Sequence, residues 1–302
     1  MGAVSAGRKR GVVVCRIRIL GPVGDVVLAL RSTALAASLL AFAGHASAQS
    51  PSAQSPSAVP APAPAVSSKV WIGHYAEYEE YLRTAPIERL TDVPVGITHP
   101  RRAYFAPGGL ARSAAVKDLP PGVRGGFWES YKSEIAAYEL DRLLGLDMVP
   151  PTVERRVGHV LASVQLWVER CQVIKDVDQN APHDAGPWNR EIYRQRVFDN
   201  LIANIDDNAG NILVDPAWNM ILIDHSRCFF SDSMPFEKVM THIDRPLFEA
   251  LKALDEASVM ARLKPWVLGG STVREVLKRR DKIVAHFEAR ARELGENAVF
   301  TP

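Results

Sequence analysis

Apolar and polar positions alternate along the chain in two styles, short strand-like runs first and helical spacing later. Val93 to Leu119 reads as paired strands. Arg102 to Ala106 forms one run, Pro107-Gly108-Gly109 a turn, and Ala111 to Leu119 a second run in which Lys117 closes the strand. Glu129 to Leu144 then places Ala136, Leu140, Leu143 and Leu144 on one stripe, with Gly145 positioned to end a helix. Met148 to Val153 leads into the strand-like run Val160 to Val168, which stops at Glu169 and Arg170. Lys175 to Trp188 is polar and rich in Pro, Gly and Asp, and reads as an exposed loop. Val197, Phe198, Leu201 and Ile202 return to helical spacing until the polar run Asn204 to Asn211 breaks it. Ile212 to Val214 and Met220 to Ile223 flank a five-residue turn, which predicts a hairpin whose second strand ends at Asp224. From Pro235 the pattern is helical to the end, as Val273, Val276, Leu277, Ile283, Val284 and Phe287 illustrate. The elements together predict an α+β chain.

The first 68 residues lack this alternation. Arg8, Lys9, Arg10, Arg16, Arg18 and Arg31 precede the apolar run Ala34 to Gly44, and Ala46-Ser47-Ala48 offers small residues for cleavage. That layout predicts a signal peptide over 1–48, cleaved after Ala48, and a periplasmic or secreted mature chain. The apolar run is shorter than the roughly 20 residues a bilayer span needs, so no stable membrane span is expected in the mature chain. Residues 49–68 repeat QSPSA and continue as VPAPAPAVSS without a charge, which predicts a disordered linker. Folding is expected from residue 69 onward.

Composition sharpens this. With 302 residues and 47% hydrophobic content the chain can bury a real core, in one large domain or two lobes. The leader carries six of the 36 Lys and Arg residues and one of the 34 Asp and Glu, which leaves 30 against 33 and a net charge of −3. Such a chain has no electrostatic reason to bind nucleic acid, and Arg274, Lys278, Arg279 and Arg280 read as a solvated helix face. Cys15 leaves with the leader, so Cys171 and Cys228 remain either as a disulfide or as two free thiols.

The polar run carries the candidate chemistry. Asp206 and Asn211 stand five apart, and Asp224 lies thirteen residues further on. Phosphoryl transfer needs a carboxylate to orient the acceptor hydroxyl, and an amide plus a second carboxylate to hold the metal that bridges the nucleotide phosphates. Asp206, Asn211 and Asp224 fit those roles in that order. Asp, Asn and Gly favour turns for backbone reasons alone, so the argument rests on the sequence of helix, loop, strand, turn, strand and terminal Asp. Lys117 at its strand end is placed to reach phosphates, and Gly96-Ile97-Thr98 in the preceding turn would let backbone amides approach them. Glu134 lies opposite the leucine stripe and Glu139 beside it, and either carboxylate is a candidate to position Lys117.

Three patches resemble the atypical branch of the protein-kinase-like superfamily. SEIAAYELDRLLGLDMVPPTVER resembles the αC region of the secretory-pathway kinases that phosphorylate extracellular proteins and proteoglycans, FDNLIANIDDNAGNILVD resembles their catalytic loop, and LIDHSRCF resembles their metal-binding segment. Phosphatidylinositol 3- and 4-kinases and HipA-type kinases share a weaker version. The resemblance spans about residues 90 to 290. It implies a two-lobed fold, with a small antiparallel-sheet N-lobe bearing one helix (69–170) and a mainly helical C-lobe (171–302), and adenine seated against the backbone at Glu169 and Arg170.

The same resemblance implies an ATP-dependent kinase, with Mg²⁺ or Mn²⁺, acting on a hydroxyl of a protein Ser or Thr, a sugar or another small alcohol, and the leader makes it an exported one. Lys117 would bind phosphates, Glu134 rather than Glu139 would pair with it or assist the metal, Asp206 would be catalytic, and Asn211 and Asp224 would hold the metal. The chain departs from the pattern at Asp207, where an arginine commonly follows the catalytic aspartate, and at His225-Ser226. A second carboxylate beside Asp206 keeps open a catalytically weak module that binds nucleotide or a partner. Nucleotidyl transfer, with ATP held inverted, is a third reading.

Overall fold

The computed structural model describes residues 66–94, 100–178, 180–181, 183–206, 208–230, 234 and 237–302, which all fall within one unit spanning 61–302. The expected leader and most of the linker lie outside the described residues, as do Gly96, Thr98 and Asp207. Contacts of the described chain include residues 67 and 68, just before the expected start of folding. The backbone N–H of Ser68 donates to Asp215 Oδ2 (2.7 Å), the Ser67 hydroxyl lies 3.2 Å from the same oxygen, and Lys69 pairs with Glu191 at 3.2 Å. Trp71, fully buried, then anchors the entering chain.

The first half runs α1 (Tyr75–Thr84), β1 (Ile87–Asp92), β2 (Arg101–Phe105), β3 (Ser113–Lys117), β4 (Gly122–Arg124), β5 (Phe127–Glu129), α2 (Tyr131–Leu144), β6 (Thr152–Val157) and β7 (Val160–Leu166). Five of the strands form an antiparallel sheet in the order β1-β2-β3-β7-β6. Strand alternation decides which face each side chain takes. Ala114 and Val116 of β3 join Trp71, Tyr78, Leu82, Val164 and Leu166 in one apolar cluster, so Lys117 is delivered to the opposite face. Helix α1 adds to the expected α2.

Glu129 was expected in the helix and instead ends a strand. β4 and β5 form a tight hairpin, Gly122 paired with Glu129 and Arg124 with Phe127. Its two central residues, Gly125 and Gly126, have φ of +56° and +88°, the conformation that two-residue hairpins demand and that side chains disfavour. Ser130 then caps α2, its hydroxyl accepting from the Lys132 N–H at 3.0 Å. Gly145 ends the helix at φ +62°, as its position suggested.

The second half comprises β8 (Gln172–Val173), α3 (Ala185–Leu201), β9 (Ile212–Val214), β10 (Met220–Leu222), β11 (Ile243–Asp244), α4 (Arg245–Ala253), α5 (Glu256–Leu263), α6 (Gly270–Leu294) and β12 (Phe300–Thr301). The expected hairpin is β9–β10, widened by β8 into three strands. Two boundaries differ from expectation. Helix α3 begins within the segment read as loop, because Asp184 caps it and Trp188 is buried by packing. The C-terminal run is not wholly helical, since β11 and β12 pair in parallel.

The supposed solvated basic face also divides. Arg279 is fully buried and its Nε donates to the Leu201 carbonyl at 2.8 Å, and Arg280 donates to the carbonyls of Leu251 and Leu254. Helix ends expose carbonyls that intrahelical bonds do not satisfy, and these arginines serve the ends of α3 and α4. Lys278 does stay exposed. The result is an α+β fold with an antiparallel sheet and a mainly helical C-terminal part. Among the described residues no helix is long and apolar enough to cross a membrane.

Candidate active site

Lys117 Nζ stands 2.6 Å from Glu134 Oε1 and 2.7 Å from Asp224 Oδ1. Three elements meet there, β3, α2 and the segment after β10. Lys117 and Glu134 are almost wholly buried, whereas the Asp224 side chain keeps 27% exposure and opens the cluster to solvent. Helix α2 is laid along residues 225–228 by further bonds. The His225 N–H donates to Glu134 Oε2 (2.9 Å), the Ser130 N–H to the Ser226 carbonyl (3.0 Å), and the Ser133 hydroxyl to the Cys228 carbonyl (3.4 Å).

Asp224 and Asn211 are held by the same ribbon. The Ile223 N–H donates to the Asn211 carbonyl at 3.0 Å, which ties the end of the polar loop to the residue preceding Asp224. Asp224 itself sits at φ +62°, a left-handed conformation that Asp tolerates better than most side chains. Asn211 Nδ2 donates to the Asp206 carbonyl (3.1 Å), which leaves the amide oxygen as that side chain's acceptor. The loop starts from Asp199, whose carboxylate accepts from Asn204 Nδ2 (2.9 Å), and Asn204 Oδ1 accepts the Asp206 N–H (3.0 Å).

Burial and charge oppose one another in this cluster. Burial disfavours the Lys117 ammonium, but Asp224 and Glu134 outweigh it and hold its pKa above the ordinary lysine value. Burial raises Glu134, against the pull of Lys117 and with the push of Asp224. Asp224, although burial acts to raise it, is held below the usual carboxylate range by Lys117. Two carboxylates thus face one ammonium, an arrangement with negative charge in excess. His225, buried beside Lys117, is pushed down to about 3 and is neutral at physiological pH.

Asp206 is more open than these acids, its side chain 34% exposed. Its Oδ1 accepts from Asn208 Nδ2 (3.0 Å) and its Oδ2 from Arg227 Nη1 (3.3 Å). Arg227 and Glu129 were not singled out in the sequence. They pair at 2.7 Å across 98 residues of chain, and nothing local in the sequence signals it. Glu139 points elsewhere, to Arg262 at 2.9 Å, so the choice between the two acids of α2 is Glu134.

Neither a protein-family model nor a curated protein matches the chain. Solved structures do. The chain is similar to the Golgi casein kinase with Mn/ADP bound, at 14% identity and TM-score 0.57, over 75% of this chain and 78% of that one. It is equally similar to hydra Fam20 with sugar, at 14% identity and TM-score 0.58, over 75% of this chain and 92% of that one. The fold is kinase-like. At this identity the likeness concerns the fold alone. Lys117 and Glu134 come from β3 and α2 in the first half of the fold, and Asp206, Asn211 and Asp224 from the loop and hairpin that follow α3.

Proposed function

We propose that this chain is an exported kinase that transfers the γ-phosphoryl group of ATP to a hydroxyl of a protein or a small molecule. The observation that carries the reading is the contact of Lys117 with both Glu134 and Asp224, on a ribbon that also holds Asn211 and Asp206. The kinase-like fold supports it. Export rests on the basic, apolar and small-residue order of residues 1–48.

The residues fit a divalent metal of the hard, oxygen-seeking kind. Asp224 and the Asn211 amide offer oxygen donors, and Asp224 is held ionised beside Lys117, which suits a hard cation. Among the described residues no three His, Cys, Asp or Glu side chains form a metal cluster by themselves. Asp224 and Asn211 would hold Mg²⁺ or Mn²⁺ brought with ATP. The bound ion would neutralise phosphate charge as the γ-phosphoryl group departs.

Each side chain then has one task. Lys117, steadied by Glu134, donates to phosphate oxygens. Asp224 and Asn211 would hold the metal, and Asp206 would accept a hydrogen bond from the acceptor hydroxyl and aim it in line. Adenine would lie against the backbone at Glu169 and Arg170. Little covalent work falls to the protein, so positioning and charge neutralisation dominate.

A thermal-shift titration of the mature chain with ATP and Mn²⁺ tests this, repeated with Asp224→Ala. The expected result is a rise in Tm that needs both metal and nucleotide and disappears in the variant. Equal behaviour of the two proteins contradicts the reading. Mass spectrometry of a modified substrate separates an added phosphate from an added adenylate, and adenylate alone would replace phosphoryl by nucleotidyl transfer.

A further inference from the structure

Arg227 spans the distance between a buried acid and the most open carboxylate of the site. Its Nε and Nη2 both donate to Glu129 Oε1, at 2.8 and 2.7 Å, and its Nη1 reaches Asp206 Oδ2 at 3.3 Å. The Glu129 side chain is only 4% exposed, while that of Asp206 is 34% exposed. A guanidinium is planar, so fixing one edge fixes the direction of its remaining N–H groups. Phe127 adds a face, its ring centroid 4.8 Å from the guanidinium carbon. The main chain on either side is pinned as well, because Ser226 accepts from the Ser130 N–H and Cys228 from the Ser133 hydroxyl.

We propose that Arg227 is a positioning residue that holds the Asp206 carboxylate in place only while the junction of β5 and α2 is docked on residues 225–228. The docking of α2 thereby sets both ends of the site at once, Lys117 through Glu134 and Asp206 through Arg227. This rests on the kinase reading above for its use in catalysis, but the positioning itself does not. Lysine at this position would keep the charge and lose the planar fork, so it restores part of the effect.

Two measurements on the mature chain decide it, using Arg227→Met, Arg227→Lys and Glu129→Gln. The first is amide hydrogen exchange of ligand-free protein, read at Asp206, Asn208 and Asn211, whose N–H groups the loop's own acceptors protect. Exchange there should speed up in Arg227→Met and in Glu129→Gln, the milder variant that guards against a folding failure, with α6 unaffected. Unchanged exchange at these three amides overturns the inference.

The second is release of labelled phosphate from ATP to water. Arg227→Met should lower kcat on the order of 10²-fold, the cost of a small misplacement, with KM for ATP unchanged and Arg227→Lys intermediate. The double variant Asp206→Ala/Arg227→Met should be no slower than Asp206→Ala alone. Additive losses would mean that Arg227 acts independently of Asp206, and would overturn the inference. Equal release by wild type and Asp206→Ala would instead contradict the kinase reading, and the exchange measurement would still decide the positioning.

Discussion

The main-chain N–H of His225 donates to Glu134 Oε2 at 2.9 Å, while the other oxygen of that carboxylate receives Lys117 at 2.6 Å. One buried acid therefore joins the helix α2, the strand β3 and the segment that carries Asp224. Removing it leaves an ammonium and a backbone N–H short of a partner in the interior. Glu134→Ala is expected to cost about 3–5 kcal/mol in urea unfolding, the cost of breaking a buried pair. A loss within the roughly 0–1 kcal/mol of an exposed pair would contradict the geometry.

Lys117 gives the complementary test. Without its ammonium, Glu134 and Asp224 face each other with nothing between them. Lys117→Met should be destabilised without ligand, and Mn²⁺ alone should raise its Tm by more than it raises that of wild type. A smaller or equal rise would mean that the two carboxylates do not share a cation site.

Asp141 makes stability depend on pH in an unusual direction. It is fully buried on α2, its Oδ1 accepts from the Met148 and Val149 N–H groups at 3.0 and 3.2 Å, and burial pushes its pKa up to about 7. The native carboxyl holds its proton to about 7 while the unfolded chain releases it near 3.8, so between those values the native state binds more protons. Its contribution is present below 3.8 and lost as pH rises through 7, at up to about 1.4 kcal/mol per pH unit. Asp141→Asn keeps the acceptor oxygen without the charge. The stability of the variant relative to wild type should grow between about pH 4 and pH 8 in denaturant titrations, and a flat or falling difference would contradict this account.

The two folded cysteines are free thiols, Cys228 fully buried and Cys171 half-buried. Burial pushes the Cys171 thiol up to about 11 and raises Cys228 as well, so neither is reactive near neutral pH. Reductant should change neither the Tm of residues 49–302 nor their mobility in denaturing gels. A band that shifts on reduction would reveal a bridge between them.

What could be read from the sequence was local. The loop from Asp206 to Asn211, the hairpin after it and Asp224 at its end lie within one short stretch, where apolar periodicity and turn residues specify the backbone directly. Lys117 and α2 were legible for the same reason. Arg227 and Glu129 were not, because their pairing is made by the docking of α2 and leaves no periodic trace. Helix α1 escaped notice since Tyr78 and Leu82 are its only buried positions and Glu residues fill much of the rest. Arg279 looked like surface by residue type, and only tertiary packing turns it into a cap for Leu201. Helical spacing alone left Glu134 and Glu139 open, and the resemblance chose Glu134; the pairing of Glu139 with Arg262 of a distant helix has no local signal in the sequence.

The central claim is phosphoryl transfer from ATP at Asp206 and Asp224, and the most direct measurement follows labelled γ-phosphate with Mn²⁺ on residues 49–302. Wild type should move the label to an acceptor or to water, and Asp206→Ala and Asp224→Ala should each cut the rate by on the order of 10²-fold or more. Equal label movement in all three proteins, or none in any, would contradict the account.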